Sequence, residues 1–281
     1  MPHIGLIGAG LLGSALAERF LAAGFAVKGF DPHPERMAEL AALGALRAQS
    51  AADAAAFGNI VVLCLPDSQI AKAILIEIAA HVQLKLVVDT TTGEPADAEA
   101  NALVAHRYID ATIAGSSQQV RQGEALVMAG GATEDIAACQ SLFASFSPRV
   151  FHVGACGAGA RMKLVVNLVL GLNRAALAEG LAFAEAMGVD PAQALEVLQA
   201  SPAYSTAMDR KGTKMLRRDW APEARLRQHH KDVRLILAAG KQSGIALPLS
   251  EVHERLLHQA EDAGFADADN SAILEAFLKR K

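Results

Sequence analysis

Two polar side chains interrupt an otherwise apolar stretch, Lys163 and Asn167 within Met162-Lys-Leu-Val-Val-Asn-Leu-Val-Leu170. Four residues apart on a helix, they project from one face, one turn above the other. Chemistry is to be sought on that face. The residue types alone leave a second reading open, in which Lys163 runs its stem along the apolar helix to water and Asn167 satisfies a nearby carbonyl.

A second chemical signal lies at the other end of the chain. His3-Ile-Gly-Leu-Ile7 has strand length and is followed at once by Gly8-Ala9-Gly10-Leu11-Leu12-Gly13 and an alanine-rich helical segment. In a strand, GxGxxG and helix sequence, Gly8 makes the tight turn, Gly10 lets backbone approach a pyrophosphate, and Gly13 lets helix pack on strand. The free N–H groups of the helix N-terminus favour the phosphates. A further apolar strand, Ala26 to Phe30, ends in Asp31, 23 residues after Gly8. A carboxylate there accepts from an adenosine ribose and repels a 2'-phosphate, which points to NAD, with Arg36 and His33 close enough to leave NADP open. Capping of a helix before Pro32 is a compatible reading of Asp31.

The elements that must position these groups alternate in the manner of an α/β protein. Strands are expected at 60–65, 84–88, 107–110, 125–129 and 150–153, with helices between them, including 133–146. Ligands bind outside the carboxyl ends of such strands, so Leu65-Pro66-Asp67 and Thr90-Thr91-Thr92 should flank the cofactor. From spacing alone, capping the helix near Pro95 is the favoured role for Thr92. The turn Gly115-Ser116-Ser117 reads either as a loop or as a carboxylate-binding nest facing Lys163. From Gly157 an unbroken helix to Met187 spans about 45 Å, and everything beyond it reads as helix, including 191–200, 205–216, 229–243, 248–263 and 271–278. The expected architecture is an N-terminal Rossmann domain over 1–156, a long interdomain helix and an all-α C-terminal domain, the last two making up 157–281.

The 281-residue chain is 52% hydrophobic and 5% aromatic, so its core is built of Ala, Leu, Val and Ile. A net charge of -4 and scattered basic residues argue against nucleic acid. Apolar runs fall short of a membrane span and no signal peptide is evident. Three cysteines without paired spacing suggest a reducing cytoplasm, with neither disulfide nor metal.

Several separated motifs resemble the beta-hydroxyacid dehydrogenases, which include 3-hydroxyisobutyrate dehydrogenases and tartronate semialdehyde reductases. They are Gly8-x-Gly10-x-x-Gly13, Leu65-Pro66, Asp89-Thr90-Thr91-Thr92, the Asp110-to-Gly115 turn, Met128-Ala-Gly-Gly131, Gly157-x-Gly159-x-x-x-Lys163-x-x-x-Asn167 and Lys231-Asp232. The resemblance covers nearly the whole chain and implies the architecture read above. It implies Lys163 as catalytic lysine, Asn167 as its substrate-binding neighbour, Thr92 at the nicotinamide ribose and Lys231 beside the nicotinamide. The residue types suit that reaction, because a hydroxyl proton must pass to a base as hydride leaves, and an ammonium can return it to the alkoxide in reduction.

Three positions depart from the family pattern. Ala114 stands where serine is usual and is followed by Gly115-Ser116, so that Ser116 or Ser117 would take over the carboxylate contact. Asn167-Leu168 replaces paired asparagines. Arg225-Leu-Arg-Gln-His-His230 replaces an apolar stretch, suiting a substrate of extra negative charge or a solvated segment. The reading is an NAD(P)-dependent oxidoreductase that interconverts a small, anionic beta-hydroxy acid and its aldehyde or ketone, as a cytoplasmic homodimer or homotetramer. An imine reductase shares the fold but usually lacks the lysine, and a non-catalytic dinucleotide-binding redox sensor is the reading of another class.

Overall fold

The structure, a computed structural model, describes residues 2–278. It resolves into two compact units, the first ending at Lys163 and the second beginning at Leu164.

In the first unit, strand and helix alternate: β1 (His3–Ile7), α1 (Leu11–Ala22), β2 (Ala26–Phe30), α2 (Pro34–Ala42), β3 (Leu46–Arg47), α3 (Ala51–Phe57), β4 (Ile60–Leu63) and α4 (Ser68–His81). Then come β5 (Val87–Asp89), α5 (Pro95–Ala105), β6 (Tyr108–Ala114), α6 (Ser117–Gln122), β7 (Leu126–Gly130), α7 (Thr133–Ala138), α8 (Gln140–Ala144) and β8 (Arg149–Gly154). The eight strands lie in the order β3-β2-β1-β4-β5-β6-β7-β8, and only β6 and β7 pair antiparallel. Alternate residues of the central strands enter two separate cores. Val62, Val88 and Ile109 pack with Phe20, Phe143 and Phe146, while Val61, Leu63 and Val87 pack with Leu75 and Ile78. Such two-sided burial explains why these strands read as uninterrupted apolar runs.

Several boundaries differ from the sequence reading. The strand expected at 107–110 runs on to Ala114 because it pairs with β5 on one side and with β7 on the other. The turn after it is the start of α6, and β3, only two residues long with both side chains exposed, offers no alternation to read. The helix expected over 133–146 breaks at Cys139, whose backbone (φ -96°, ψ 5°) leaves helical geometry where its side chain is fully buried.

Helix α9 (Ala158–Ala186) opens in the first unit. Its first turns sit against β6 and β7 through paired glycines. A Cβ on Gly159 would come within 2.3 Å of the Asp110 carbonyl oxygen, and one on Gly130 within 2.4 Å of the Asp110 carboxylate. That carboxylate accepts from the amides of Gly157 (3.0 Å) and Ala160 (2.7 Å), satisfying donors that a helix N-terminus otherwise leaves open. Thr112 Oγ1 donates to the Gly159 carbonyl at 2.9 Å.

The second unit is helical: the body of α9, then α10 (Pro191–Ala200), α11 (Thr206–Arg217), α12 (Leu226–Gln242) and α13 (Pro248–Ala260). The expected 248–263 helix ends instead in a π-helical turn, Glu261–Phe265, and the expected 271–278 helix is 3-10 over Asn270–Ala276. Ala175, Leu177, Ala178 and Leu181 of α9 pack with Leu226, Val233, Leu257 and Ile273. Among the described residues α9 is the one helix long and apolar enough to cross a membrane, so the expectation that no apolar run reaches that length is corrected here. Its inward residues belong to a protein core.

Burial pushes the Asp110 carboxyl up to about 6 against the opposing pull of the Ala160 and Gly157 amides. A raised carboxyl keeps its proton in the folded state after the unfolded chain has lost it, so its contribution to stability is present below about pH 4 and lost as pH rises through about 6. The stability of the wild type minus that of Asp110→Asn should therefore fall by about 2 kcal/mol between pH 4 and pH 7. Denaturant unfolding of both proteins across that range checks it, and a flat or rising difference would refute the assignment.

Candidate active site

The nucleotide end is built in the first unit. Gly8 takes φ +98°, a conformation only glycine adopts at ease, and its amide donates to the Phe30 carbonyl at 2.9 Å, joining the turn to the end of β2. A Cβ on Gly13 would lie 2.1 Å from the Gly8 carbonyl oxygen, whereas one on Gly10 would meet nothing within 4 Å. Space is thus kept above Gly10 while Gly13 closes the helix onto the turn, the division of labour that a dinucleotide requires. Leu11, Leu12 and Gly13 form the first turn of α1, and Gly10 caps it without a side chain.

Asp31, 4% exposed, closes β2. Its carboxylate accepts from the Ala9 amide (2.8 Å), from the His33 amide and ring Nδ1 (3.0 and 2.8 Å) and from Arg36 Nη1 (3.2 Å). Burial pushes its pKa up, but these hydrogen bonds together hold it below the usual carboxylate value. Asp31 thus does not cap α2, whose N-cap is His33. Instead it ties the glycine turn to β2 and brings Arg36, partly exposed, to the same place.

Across the sheet, Leu65 and Pro66 follow β4, and the Leu65 amide donates to Thr91 Oγ1 at 3.2 Å. The residue after Pro66, Asp67, caps α4 by accepting from Ile70. Thr92 follows β5 on the partly exposed rim. The capping role favoured for it from spacing is not the one it has, since Glu94 is the N-cap of α5.

Lys163, 9% exposed, donates from Nζ to the Ile113 carbonyl at 2.6 Å. The snorkelling reading is excluded by that burial. Ile113 precedes Ala114 and Gly115, so the ammonium is held at the end of β6 beside the Gly115-Ser116-Ser117 segment. Gly115 takes φ +151°. Ser116 caps α6 in a reciprocal arrangement, its Oγ accepting from the Gln119 amide (3.3 Å) and its amide donating to Gln119 Oε1 (3.0 Å). Ser117 is buried just behind it.

In the second unit Asn167 Nδ2 donates to Asp232 Oδ2 at 2.9 Å, and Lys231 Nζ lies 3.3 Å from the other oxygen of that carboxylate. Asp232 therefore brings Asn167 and Lys231 together, an acceptor role that the sequence reading did not assign. It named Asp110 and Asp89 within motifs without giving them a role, and did not single out Tyr108, whose hydroxyl donates to the Asp89 carboxylate at 2.6 Å. Burial raises both members of that pair. For Asp89 and Asp110 the available signal was an acidic residue closing an expected strand.

Comparison with known proteins extends this geometry. Residues 3–154 match the family described as the NAD binding domain of 6-phosphogluconate dehydrogenase, and residues 157–277 match the NAD-binding family of NADP-dependent 3-hydroxyisobutyrate dehydrogenase. The chain is a beta-hydroxyacid dehydrogenase family member.

Among its relatives is L-threonate dehydrogenase of Cupriavidus necator, 29% identical, with 98% of this chain and 96% of that protein covered. Another is 2-(hydroxymethyl)glutarate dehydrogenase of Eubacterium barkeri, 28% identical over 98% of this chain and 94% of that one. The structure of 3-hydroxyisobutyrate dehydrogenase from Salmonella typhimurium superposes with a TM-score of 0.87 at 25% identity, covering 97% of this chain and 99% of that one. As a member of the beta-hydroxyacid dehydrogenase family, the protein is an NAD(P)-dependent oxidoreductase acting on a hydroxyl group of a small substrate. The sensor reading is set aside on this ground. Imine reductases, such as one from Pseudomonas at 21% identity and a TM-score of 0.66, share the fold.

Asp31→Asn should exchange cofactors while keeping the shape of the turn. The substitution tests the expectation that Asp31 accepts from the adenosine ribose: loss of a charged acceptor costs roughly tenfold to a hundredfold, so the ratio of kcat/KM for NADPH to that for NADH should rise by about that factor. Initial rates with each cofactor measure it, and an unchanged ratio would place the discrimination elsewhere.

Proposed function

We propose that the protein interconverts a small hydroxy acid carrying its hydroxyl beta to a carboxylate with the corresponding aldehyde or ketone, and that Lys163 is its proton donor and acceptor. The observation that carries this reading is the buried ammonium of Lys163, which donates to the Ile113 carbonyl at 2.6 Å. Burial together with that bond holds the ammonium in place at the end of β6, and a held proton donor is what general acid catalysis needs. NAD(P), when bound, supplies the hydride chemistry.

In the direction of reduction, Lys163 Nζ gives a proton to the oxygen as negative charge develops there. In oxidation the amine takes that proton back. Asn167, whose carboxamide is oriented by Asp232, offers its remaining donor and its carbonyl to the substrate. The backbone of Gly115 and Ser117, next along the chain from the Lys163 anchor and held in place by the Ser116 cap, receives the carboxylate. Lys231 and Thr92 meet the nicotinamide half of the cofactor, and Asp31 favours NAD over NADP. The named substrates of the relatives, threonate, 2-(hydroxymethyl)glutarate, and glyoxylate with succinic semialdehyde, each combine a carboxylate with a hydroxyl or aldehyde, which supports the class. Retention of a lysine at 163 supports the dehydrogenase reading over the imine reductase one.

Purified protein should oxidise NADH in the presence of at least one member of a panel of 3-oxopropanoates and related semialdehydes. Lys163→Ala should lower kcat by about 10²- to 10⁴-fold, the usual span for a general acid–base, with little change in the dissociation constant for NADH read by fluorescence. Full turnover in the variant would remove Lys163 from the chemistry.

We also infer a homodimer or homotetramer, supported by the exposed apolar side chains of Val169, Phe183 and Met187 along α9. Light scattering should give a mass of at least two chains, and a monomeric mass would overturn the inference.

A further inference from the structure

Helix α9 continues its inward stripe beyond Asn167 in an unusual way. The buried positions run Asn167, Gly171, Arg174, Ala178 and Leu181 at helical spacing. The last two are core residues, while the middle two are a glycine and an arginine. At Gly171 a Cβ would lie 2.5 Å from His229 Nε2 and 2.6 Å from His253 Cε1. Two imidazoles from α12 and α13, their ring centroids 5.2 Å apart, therefore press directly on the backbone of α9. Any side chain at 171 would exclude them.

Arg174 is 5% exposed. Neither Nε nor Nη1 has a hydrogen-bond partner among the described residues, and the same holds for Nε2 of His253. Charges nearby do not relieve this. Asp269 is the carboxylate that acts on Arg174, but its oxygens are taken by Lys211 Nζ (2.9 Å), the Glu223 amide (3.0 Å) and Ser271 (2.8 Å). Glu254 and Glu261 are engaged by His230 at 3.0 and 2.9 Å. Burial lowers Arg174 only to about 10, so the guanidinium stays charged in neutral solution. His253 is pushed down to about 4 by burial and by Arg174, which leaves it neutral and able to donate from Nε2. A buried cation with unmet donors is destabilising unless an anion meets it.

We propose that Arg174, with His253 and His229 around Gly171, is an anion subsite that receives the second acidic group of a dianionic hydroxy acid. This rests on the reading of Asn167 as a substrate contact. Arg174 stands two helical turns, roughly 10 Å of rise, beyond Asn167 on the same face, a span shared between the arginine side chain and a short diacid held at Asn167. The side chain of Arg174 leans back along that span, because helical Cβ atoms tilt toward the N-terminus. Guanidinium and carboxylate then pair by charge-assisted hydrogen bonds.

The test compares two 3-oxopropanoates of equal length, one bearing a 2-carboxyethyl group and the other a 2-propyl group, in NADH-coupled assays. The wild type should prefer the carboxyethyl compound in kcat/KM by about tenfold or more. Arg174→Met should abolish most of that preference, and Arg174→Lys should retain part of it. No preference in the wild type, or an undiminished one in Arg174→Met, overturns the proposal. Glutarate, which cannot be reduced, supplies an independent readout: with NADH present it should raise the melting temperature of the wild type and not that of Arg174→Met.

If Arg174→Met fails to fold, Arg174→Lys and His253→Asn serve in its place, and undiminished glutarate protection in both overturns the subsite. Protection by glutarate without turnover of either compound would sink the reaction proposed above and leave the subsite standing. Turnover of the propyl compound at equal or greater efficiency, without protection by glutarate, would do the reverse.

Discussion

The carboxylate of Asp110 accepts from the amides of Gly157 and Ala160, and the start of α9 is fixed by those two bonds. The approach is close enough to require glycine at both 130 and 159. Lys163 lies one turn further on, and its Nζ reaches the Ile113 carbonyl three residues along the strand from Asp110. The lysine is therefore positioned from below by a helix cap and from above by a strand carbonyl. Both anchors belong to β6, so strand and helix define its place without a flexible loop.

The buried charges of this protein are handled in different ways. Asp31 is surrounded by donors and stays ionised. Asp110 has two amides, yet burial outweighs them and its pKa rises. Asp269 holds Lys211 and two stretches of backbone inside the helical unit, and its pKa falls. Desolvation is similar in kind in all three cases. What separates them is the number of donors and whether a cation is among them. Arg174 stands apart because its Nε and Nη1 have no hydrogen-bond partner among the described residues.

The turn after β6 shows how a departure from the family pattern is accommodated. With Ala114 in place of the usual serine, the chain continues as strand to that residue, and Gly115 then turns it into α6. Ser116 is committed as the cap of that helix, with Gln119 completing the exchange. The backbone at this position is thereby held by local bonds that do not involve the side chain at 114.

The sequence by itself determined the alternation of strand and helix, the dinucleotide turn, the long helix and the family, because each is a local pattern. Glycines at fixed spacing, an acidic residue at the end of a second strand, and an apolar helix interrupted by Lys163 and Asn167 all carry meaning without knowledge of distant partners. Tertiary structure decided the rest. Lys163 is buried because a carbonyl 50 residues away accepts from it, and Asn167 bonds a carboxylate 65 residues away. No spacing rule encodes either. The break at Cys139, the role of Asp31 in the turn, and the meeting of Gly171 with two histidines depend likewise on long-range packing. Local propensity is written in neighbours along the chain, whereas the partner of a buried polar atom is set by which elements the fold lays together.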